Sequence, residues 1–494
     1  MADFPRVCVT VSGGTAEELL ARARRAALSS RFVELRLDCL GRPERSAEVV
    51  RDLRRARVPS IATLRSAAAG GNFGGSAEEQ LHILQSAAQA GASLVDLEIE
   101  SAEHLGAQAV RSLRRSTRLL LSLHDHRETP ENPASALHRL KSFPADYYKL
   151  VTLAHRHRDN AAVLELLKKG RGRLVAFTLG EVGRPTRLMC LAAGAPFTYA
   201  AAPEGDVLGL GQFPAAEICG PYRAEKITSR TRFYGVIGNP IEHSISPAVH
   251  NAAFAALKLD AVYLAFGVEE FEDFVASRRA YRLAGFSVTL PHKETAAQAA
   301  DRLDPVAATV GAVNTMVTRW GQWHGFNTDV VGLLRPLEKR RKLRGARVLI
   351  AGAGGVARAA AFALSQAGAR VVVVSRRPEQ ASALAEAVGG EALEPGDLSD
   401  ESFDVIVHAT PLGMAPDVES CFFSPGELNA PIVFETVYNP IETRLVKLAR
   451  RRRLQVIVGL EMFLEQAAGQ FKLWTGKEAP RAVMEQAARN ALRT

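Results

Sequence analysis

Eight short apolar runs alternate with helical stretches up to about residue 220, and no other feature of the sequence constrains the fold as strongly. The runs are RVCVTV, FVELRLD, PSIATLR, SLVDLEI, RLLLSL, YYKLVTL, RLVAFTL and FTYAA. Segments between them, such as TAEELLARARRAAL and AVLELLKKG, carry apolar residues at helical spacing. Eight such units predict a (β/α)8 TIM barrel of roughly 200 residues. An open doubly wound sheet is the alternative, but no glycine-rich turn follows the first run.

A second pattern begins near residue 347, where RVLI, AGAGGVARAAAFALSQAG and RVVVVSRR follow one another. Strand, glycine turn, helix and strand in this order are typical of a dinucleotide-binding Rossmann unit. A chain of 494 residues is too long for one core and predicts about three domains. We place a barrel at 1–222, an α/β substrate domain at 233–335 with 460–494, and a nucleotide-binding domain at 336–459.

The composition, with 47% hydrophobic and 23% charged residues, is that of an ordinary soluble globular protein. The opening MADFPRVCVTVSGG has the features of neither a secretory signal nor an import leader, and no apolar run is long enough to span a bilayer. The five cysteines are scattered and form no C-x-x-C pair, which predicts reduced thiols in a cytoplasmic protein and no metal site.

The formal charge of +9 raises the question of a nucleic-acid partner. The basic runs at 111–118, 338–347 and 449–453 contain no interleaved aromatic residues and match no nucleic-acid module. We interpret them as solvated helix faces, compatible with attraction of anionic small substrates. We therefore expect neither a nucleic-acid nor a membrane partner, and the sequence leaves a monomer and a homodimer equally open.

Charged side chains lie near the ends of the predicted barrel strands, where the chemistry of such barrels takes place. They are Glu34, Arg36, Arg65, Glu98, His124 and Lys149. For Glu34 and Arg36, an ion pair within the barrel is as good an explanation as catalysis. Lys149 follows two tyrosines in DYYKLVTLA, where burial and a cationic neighbour such as Arg36 or Arg65 favour a neutral, nucleophilic amine. A barrel with such a lysine also suits a class I aldolase.

Five motifs distinguish between these possibilities: SLHDHRETP at 122–130, aspartate-x-x-lysine at 146–149, VELRLD, TLRSAAAGG and VDLEIE. Because these motifs follow one another along the chain in the family's order, the region from 5 to 220 resembles type I 3-dehydroquinate dehydratase. The resemblance implies that Lys149 forms an imine with the ketone of 3-dehydroquinate, that His124 is general base and acid, and that Glu98 holds His124. It implies the remaining substrate contacts for Glu34, Arg36, Arg65, Arg187 and Gln212, with Arg187 binding the carboxylate. One departure is the lid sequence LGLGQ at 208–212, which lacks the family's serine.

The second half carries four further motifs: YGVIGNPIEHSISPAVHNAAF, FSVTLPHKE, GAVNTM and GFNTDVVG. Taken singly, Ser244 and Ser246 suit a helix cap, and Lys293 and Asp329 suit surface charges. Together the motifs resemble shikimate dehydrogenase from about residue 233 nearly to the C-terminus. The resemblance implies that Lys293 and Asp329 are the catalytic pair and that Ser244 and Ser246 bind the substrate carboxylate. It further implies ring contacts from Thr289, Asn314 and Gln466, with Tyr438 nearby.

The glycine turn has the pattern G-x-G-x-x-A, whose glycines allow the backbone to approach a pyrophosphate. The next strand ends in Ser375, Arg376 and Arg377 and not in a carboxylate, which favours the 2′-phosphate of NADP over the ribose hydroxyls of NAD. The expected cofactor contacts are Gly352, Ala353, Gly354, Gly355, Val356, Ala357, Ser375, Arg376, Arg377, Thr410, Met414 and Gly459. His408 and Glu435 stand where the family has asparagine and aspartate.

The two resemblances imply consecutive reactions on one chain. 3-Dehydroquinate would be dehydrated to 3-dehydroshikimate, which NADPH would then reduce to shikimate. One alternative is an NAD-dependent quinate or shikimate dehydrogenase of a catabolic route, which Arg376 and Arg377 disfavour. The other is a non-catalytic metabolite sensor, which the presence of Lys149, His124, Lys293 and Asp329 disfavours.

Overall fold

The computed structural model describes residues 4–203 and 209–493. These residues form two compact units. The first contains the described residues up to 233 together with 266–282, and the second contains 234–265 and the chain from 283 onward.

The first unit is built on eight parallel strands in the order β7-β6-β5-β4-β3-β2-β1-β8. They are β1 Val7–Val11, β2 Val33–Arg36, β3 Ser60–Thr63, β4 Leu94–Glu98, β5 Arg118–Asp125, β6 Tyr147–Leu153, β7 Leu174–Leu179 and β8 Thr198–Ala201. The helices between and after them are α1 Ala16–Ala26, α2 Ser46–Arg55, α3 Ala77–Ala90, α4 Ile99–Ser116, α5 Pro133–Leu140, α6 His157–Leu167, α7 Gly180–Gly183, α8 Thr186–Ala193 and α9 Ala215–Cys219. Each predicted run contains one strand, and the predicted barrel is confirmed.

The period of two along each strand sorts the barrel interior into layers. Apolar side chains such as Cys8 and Leu120 belong to a buried cluster nearer the beginning of the strands. Two residues further along the same strands, the buried side chains are polar, as in Thr10 and Ser122. The polar layer therefore lies on an apolar floor, at the carboxyl end of the barrel where sites form in this fold.

The second unit contains two six-stranded sheets. The first has the order β10-β9-β11-β13-β14-β12 and mixed strand directions. Its strands are β9 Arg232–Gly238, β10 Ala261–Gly267, β11 Gly285–Val288, β12 Arg302–Leu303, β13 Thr315–Arg319 and β14 Gln322–Phe326. The next helices along the chain are α10 Ser246–Ala256, α11 Phe271–Ala276, α12 Arg278–Tyr281, α13 Lys293–Ala299, α14 Pro305–Val310 and α15 Asp329–Glu338. Of these, α11 and α12 lie within 266–282 and belong to the first unit, and the others belong to the second.

The second sheet is parallel throughout, in the order β17-β16-β15-β18-β19-β20. Its strands are β15 Arg347–Ala351, β16 Arg370–Val374, β17 Glu391–Leu393, β18 Val405–His408, β19 Ile432–Glu435 and β20 Gln455–Ile457. Its helices and those that end the chain are α16 Gly355–Gln366, α17 Pro378–Ala387, α18 Arg444–Arg451, α19 Gly459–Thr475 and α20 Arg481–Ala491. This order is that of the Rossmann fold and confirms the predicted nucleotide-binding architecture.

Small side chains allow α16 to pack closely on this sheet. Ala357, Ala360 and Ala363 are fully buried in the core that also contains Val348 and Ile350 of β15. The close packing holds the N-terminus of α16 at the end of β15, where the glycine turn joins the two. Among the described residues, no helix is long and apolar enough to cross a membrane, and no group of three or more His, Cys, Asp or Glu side chains could hold a metal ion.

Candidate active sites

A cavity of about 270 Å³ lies at the carboxyl end of the barrel. Its lining includes the predicted residues Glu34, Arg36, Arg65, His124, Lys149, Arg187 and Gln212. These seven side chains come from three strands, β2, β5 and β6, and from the segments after β3, β7 and β8, so the fold brings together positions far apart in sequence. Glu98, also predicted, is buried beside this group and is not part of the lining.

Lys149 projects from the middle of β6 and is 5% exposed. Its Nζ lies 3.5 Å from Glu34 Oε1 and 3.4 Å from Asp96 Oδ2. The Tyr199 ring covers a further side, with its centroid 4.1 Å from Nζ. The nearest charged groups are thus carboxylates and not the arginines expected from the sequence, because Glu34 of β2 and Asp96 of β4 reach to within 3.5 Å of Nζ.

Asp96 is the functional candidate that sequence reasoning missed. It accepts hydrogen bonds from Arg65 Nη2 at 2.6 Å and from Ser122 Oγ at 2.6 Å, in addition to its contact with Lys149. Burial alone would raise the pKa of Asp96, but the charges of Arg65 and Lys149 outweigh it and hold this pKa below its ordinary value. The sequence feature that could have identified Asp96 is the alternation in LVDLE, which turns Asp96 to the same side of the strand as Glu98.

Glu98 accepts hydrogen bonds from Arg65 Nη1 at 3.2 Å and from the amide of Ser66 at 3.0 Å. No hydrogen bond joins it to His124 within the part of the chain that the structure describes, so the structure does not bring the predicted pair into direct contact. Instead, Arg65, which follows β3, donates a hydrogen bond to the Glu98 carboxylate. Glu98 therefore positions Arg65 and the start of the following loop.

The alternative of an ion pair between Glu34 and Arg36 is not what the structure contains. Arg36 binds Asp38 through two hydrogen bonds of 2.9 and 2.7 Å. Glu34 instead accepts hydrogen bonds from the hydroxyls of Thr10 and Thr63, at 2.9 and 3.0 Å. Each of these charges lies beside the cavity with its own partner, and Glu34 is held next to Lys149.

His124 lies near the end of β5 and lines the cavity. Its Nδ1 is buried and has no hydrogen-bond partner among the described residues. Burial lowers the pKa of His124 well below its ordinary value, and the charges of Arg65 and Lys149 lower it further. The imidazole is therefore neutral and available to accept a proton.

Arg187 comes from α8 and is 2% exposed. Its guanidinium stacks on Phe177 at 4.5 Å and donates a hydrogen bond to the carbonyl of Leu210 at 3.0 Å, while Nε has no partner among the described residues. Burial lowers the pKa of Arg187 to about 10. Gln212 lies beside it, with Nε2 3.4 Å from Thr10 Oγ1. The altered lid begins at Leu208, which is outside the described residues, so only Gly209–Gln212 can be placed.

The second unit contains a second cluster of predicted residues. Lys293 Nζ lies 2.6 Å from Asp329 Oδ2, and both side chains are buried. Asn314 donates hydrogen bonds of 2.8 Å to Asp329 Oδ1 and of 3.3 Å to Gln466 Oε1. The buried lysine and aspartate are therefore a fixed pair and not the surface charges that each motif alone suggested.

Thr289 and Tyr438 belong to the same unit. Thr289 follows β11, and its Cγ2 would lie 2.4 Å from a Cβ placed on Gly238, so the glycine allows the threonine to pack closely. The Tyr438 ring packs 4.9 Å from that of Phe463, and burial raises the pKa of Tyr438 to about 12. Within the described residues, no hydrogen bond joins Thr289 or Tyr438 to the pair of Lys293 and Asp329.

Ser244 and Ser246 lie at the beginning of α10. The amide of Ser246 donates a 3.4 Å hydrogen bond to Ser244 Oγ, but the residue at the N-cap is Ile245, which has no capping side chain. The two serines are therefore not an ordinary helix cap. Ser246 is buried close to Tyr263, whose hydroxyl is 2.6 Å from Ser287 Oγ, so the helix start lies among hydroxyl groups.

The glycine turn fits a dinucleotide. Gly352 has φ +125°, and a Cβ there would lie 2.6 Å from the carbonyl of Ala409. Gly354 is the N-cap of α16 with open space around it, which leaves the helix N-terminus accessible to phosphate. A Cβ on Gly355 would lie 3.2 Å from Lys293 Cδ, so the turn borders the lysine–aspartate pair. Ala353, Val356 and Ala357 complete the turn and the first helical residues.

The residues expected at the adenosine end follow β16. Arg376 and Arg377 are exposed, and Ser375 Oγ donates a hydrogen bond to the carbonyl of Arg377 at 2.7 Å, which closes a turn that presents both guanidinium groups. Met414 is 40% exposed. Gly459 begins α19, where a Cβ would lie 2.3 Å from the carbonyl of Val437.

The two departures from the family pattern contact each other. His408 Nδ1 lies 2.9 Å from Glu435 Oε1, and His408 Nε2 lies 2.5 Å from Thr410 Oγ1. Glu435 also accepts a hydrogen bond of 2.8 Å from Thr443 Oγ1. β18 and β19 are neighbouring strands, so His408 can contact both residues. Its hydrogen bonds connect Thr410, a predicted cofactor contact, to the buried carboxylate of Glu435.

Comparison with known protein families gives four matches that together span both units. Residues 7–229 match the model of type I 3-dehydroquinase, and residues 236–316 match that of the shikimate dehydrogenase substrate binding domain. Residues 336–412 match shikimate / quinate 5-dehydrogenase, and 459–489 match the shikimate 5′-dehydrogenase C-terminal domain.

One similar protein combines both halves. The bifunctional 3-dehydroquinate dehydratase/shikimate dehydrogenase of Arabidopsis thaliana chloroplasts is 31% identical over 498 residues, covering 96% of this chain and 83% of the plant protein. The chain belongs to this bifunctional family. It is accordingly a lyase and an oxidoreductase of the shikimate pathway, and the predicted bifunctional enzyme is confirmed.

Other relatives match the dehydrogenase half of the bifunctional enzyme. The NADP-dependent shikimate dehydrogenase of Moorella thermoacetica is 43% identical over 286 residues, covering 54% of this chain and 96% of the relative. A shikimate dehydrogenase solved with NADP+ is 35% identical, with a TM-score of 0.51, over 53% of this chain and 96% of that one. The Aquifex aeolicus enzyme is 34% identical, with a TM-score of 0.50, over 53% and 98%.

Proposed function

We propose that Lys149 is the imine-forming residue of the dehydratase and that His124 transfers its protons. The observation that carries this proposal is the burial of Lys149 at the floor of a cavity lined by a neutral histidine and an incompletely bonded arginine. Nζ adds to the ketone carbon of 3-dehydroquinate, and loss of water from the adduct leaves an iminium ion. The iminium is an electron sink, which makes the adjacent carbon acidic.

His124 then removes a proton from this adjacent carbon, and the electron pair moves toward the iminium nitrogen. The resulting enamine expels the neighbouring hydroxyl, which leaves as water with the proton that His124 carried. Hydrolysis of the product imine releases 3-dehydroshikimate and returns the amine of Lys149. The neutral state of His124 supports the first proton transfer, and Arg65 and Asp96 hold the surrounding charges in place.

Arg187 is proposed to bind the substrate carboxylate. The Arg187 guanidinium is buried and has no carboxylate partner among the described residues, so it has lost hydrogen bonds to water. A substrate carboxylate that accepts two hydrogen bonds from it replaces those bonds. The substrate is an anion, and Gln212 is proposed to contact its hydroxyls. Glu34 and Arg36 complete the polar wall on the other side of Lys149.

In the dehydrogenase, NADP is the cofactor, and bound NADPH supplies the hydride. We propose that Lys293 stabilises the negative charge that develops on the ketone oxygen and donates the proton that completes the alcohol. Asp329 holds the ammonium at 2.6 Å, and Asn314 orients Asp329. Ser244 and Ser246 are proposed to bind the carboxylate of 3-dehydroshikimate, with Thr289, Gln466 and Tyr438 at the ring. Arg376 and Arg377 would hold the 2′-phosphate.

A coupled assay tests the two proposals together. Purified enzyme supplied with 3-dehydroquinate and NADPH is expected to form shikimate, with borohydride trapping a reduced adduct on Lys149 that peptide mass spectrometry locates. An adduct on another peptide, or none in active enzyme, contradicts the imine assignment. Initial rates with NADP and NAD, compared between the native enzyme and Arg376→Ala, test the placement of the 2′-phosphate: the variant should lose preference for NADP.

A further inference from the structure

Tyr199, which the sequence patterns did not single out, faces the nitrogen of Lys149. It projects from β8 at the level where β6 presents Lys149, and it is 3% exposed. Its ring centroid lies 4.1 Å from Nζ, with the ammonium over the ring face. Nζ also lies 3.5 Å from Glu34 Oε1 and 3.4 Å from Asp96 Oδ2, and both distances are longer than that of an optimal ion pair.

The face of an aromatic ring carries negative electrostatic potential and attracts a cation, most strongly where water is excluded. Lys149 lies in the polar layer and Tyr199 in the apolar cluster beside it, and both are buried, so solvent screens the attraction little. The Tyr199 hydroxyl is buried and has no hydrogen-bond partner among the described residues. Burial raises the pKa of this hydroxyl well above its ordinary value, so the ring acts as a neutral phenol.

We propose that Tyr199 is a catalytic residue of the dehydratase, whose ring face stabilises the positive charge on the Lys149 nitrogen as the imine forms. The proposal rests on the assignment of Lys149 as the imine-forming residue. In this step the neutral amine adds to the ketone carbon: the C–N bond forms, the C=O double bond becomes single, and a proton passes from nitrogen to oxygen. The adduct's hydroxyl then takes a second proton from solvent and leaves as water, and the nitrogen lone pair becomes the second bond of C=N⁺. The positive charge thus develops on the atom that the ring faces.

A fluorination series at position 199 tests this role, because fluorine withdraws charge from the ring face with little change in shape. The enzyme is prepared with Tyr199→Phe, with difluoro- and pentafluorophenylalanine at the same position, and with Tyr199→Leu. Each is mixed with 3-dehydroquinate, quenched with borohydride at successive times, and analysed for the fraction of Lys149 in the reduced adduct. The same fluorinated residues at Phe197, a buried aromatic two positions earlier on the same side of the strand, are the matched control.

We expect the rate of adduct formation for Tyr199→Phe to lie within about twofold of the native rate, since the ring face remains. The rate of adduct formation should fall stepwise with fluorination. For the pentafluoro ring we expect a decrease of about 3- to 30-fold, which corresponds to the free energy of a buried cation–π contact. The series at Phe197 should be flat. A flat series at position 199, or a Phe variant as slow as the Leu variant, overturns the proposal, the second result by assigning the effect to the hydroxyl.

Failure of the underlying assignment gives a different result. If the native enzyme dehydrates its substrate but yields no adduct on Lys149, the imine assignment and the role of Tyr199 both fall. If the native adduct forms on Lys149 and the fluorinated series is flat, only the role of Tyr199 is excluded. Should the Leu variant not fold, the fluorinated series decides alone, because those side chains keep the shape of phenylalanine.

Discussion

Arg187 is buried with few hydrogen-bond partners, which is costly unless a ligand supplies the rest. Replacing it with lysine keeps a charge but removes the planar fork that binds a carboxylate through two hydrogen bonds. We predict that Arg187→Lys raises the dehydratase KM by about 10- to 100-fold, the worth of a charged hydrogen bond, and lowers kcat less. Arg184, which contacts Phe213 and Glu217, supplies the control: Arg184→Lys should leave KM within about twofold. Equal increases in KM for the two variants would contradict the carboxylate assignment.

His124 gives a prediction about pH. Its pKa lies well below the usual value, so the folded enzyme keeps the imidazole neutral as pH falls through 6.5, whereas the unfolded chain takes up a proton there. We expect ¹³C-labelled His124 to stay unprotonated as the pH falls from 8 through 6.5, where the unfolded chain takes up its proton, and the dehydratase to keep its general base over the same change in pH. The urea-unfolded chain, titrating near its ordinary pKa of about 6.5, is the reference. Protonation of His124 near pH 6.5 in the folded enzyme would contradict a pKa lowered by burial. By linkage, this group also lowers folding stability as pH falls below about 6.5.

At the level of elements, the turn between β15 and α16 depends on Gly352. Its φ of +125° is unfavourable for other residues, and an added Cβ would meet the carbonyl of Ala409 at 2.6 Å. We predict that Gly352→Ala weakens NADP binding at least tenfold by calorimetry while dehydratase activity stays unchanged. Gly426, in the same unit and open on all sides, is the matched control, and Gly426→Ala should bind NADP normally. Normal NADP affinity in Gly352→Ala would show that the turn does not contact the cofactor.

The ends of β18 and β19 are joined by His408 and Glu435, both of which depart from the family pattern. His408 and Glu435 are buried and are hydrogen-bonded to each other. Changing one of them therefore leaves the other as a buried polar group without its partner. We predict that His408→Asn and Glu435→Asp each cost about 1–3 kcal/mol of folding stability and weaken NADP binding. The double variant should recover most of the lost folding stability and most of the lost NADP affinity, since it restores the family's shorter pair. Urea unfolding and NADP titration of the four proteins measure the coupling. Purely additive losses would show that the two residues act independently.

The sequence predicts the elements of this protein better than the contacts between its side chains. Alternation and helical spacing located every barrel strand, and alternation also indicates which side chains point inward. It does not indicate which of them meet: Arg36 pairs with Asp38, Glu98 with Arg65, and His408 with a residue 27 positions later. Such partners depend on side-chain length and on which strands are neighbours. Asp96 was missed for a related reason, since its alternation was visible but its contacts with Lys149 and Arg65 were not.

At the scale of the whole molecule, each active site draws its proposed catalytic residues from a single unit. Lys149, His124 and Arg187 lie in the first, and Lys293 and Asp329 lie in the second. The described cavity of the barrel is likewise lined by residues of the first unit alone. Each unit therefore contains the groups that its own reaction requires, and inactivation of one reaction should leave the other intact.

A complementation experiment tests this independence. Lys149→Ala should abolish dehydration of 3-dehydroquinate but retain native reduction of 3-dehydroshikimate, and Lys293→Ala should do the reverse, with at least a 100-fold loss of reductase turnover and little change in NADP affinity. An equimolar mixture of the two variants, supplied with 3-dehydroquinate and NADPH, should form shikimate after a lag in which 3-dehydroshikimate accumulates in solution. The native enzyme at equal site concentration is the reference. If each variant keeps its remaining activity and the mixture still makes no shikimate, the intermediate does not pass through solution, and the two reactions depend on a single intact chain.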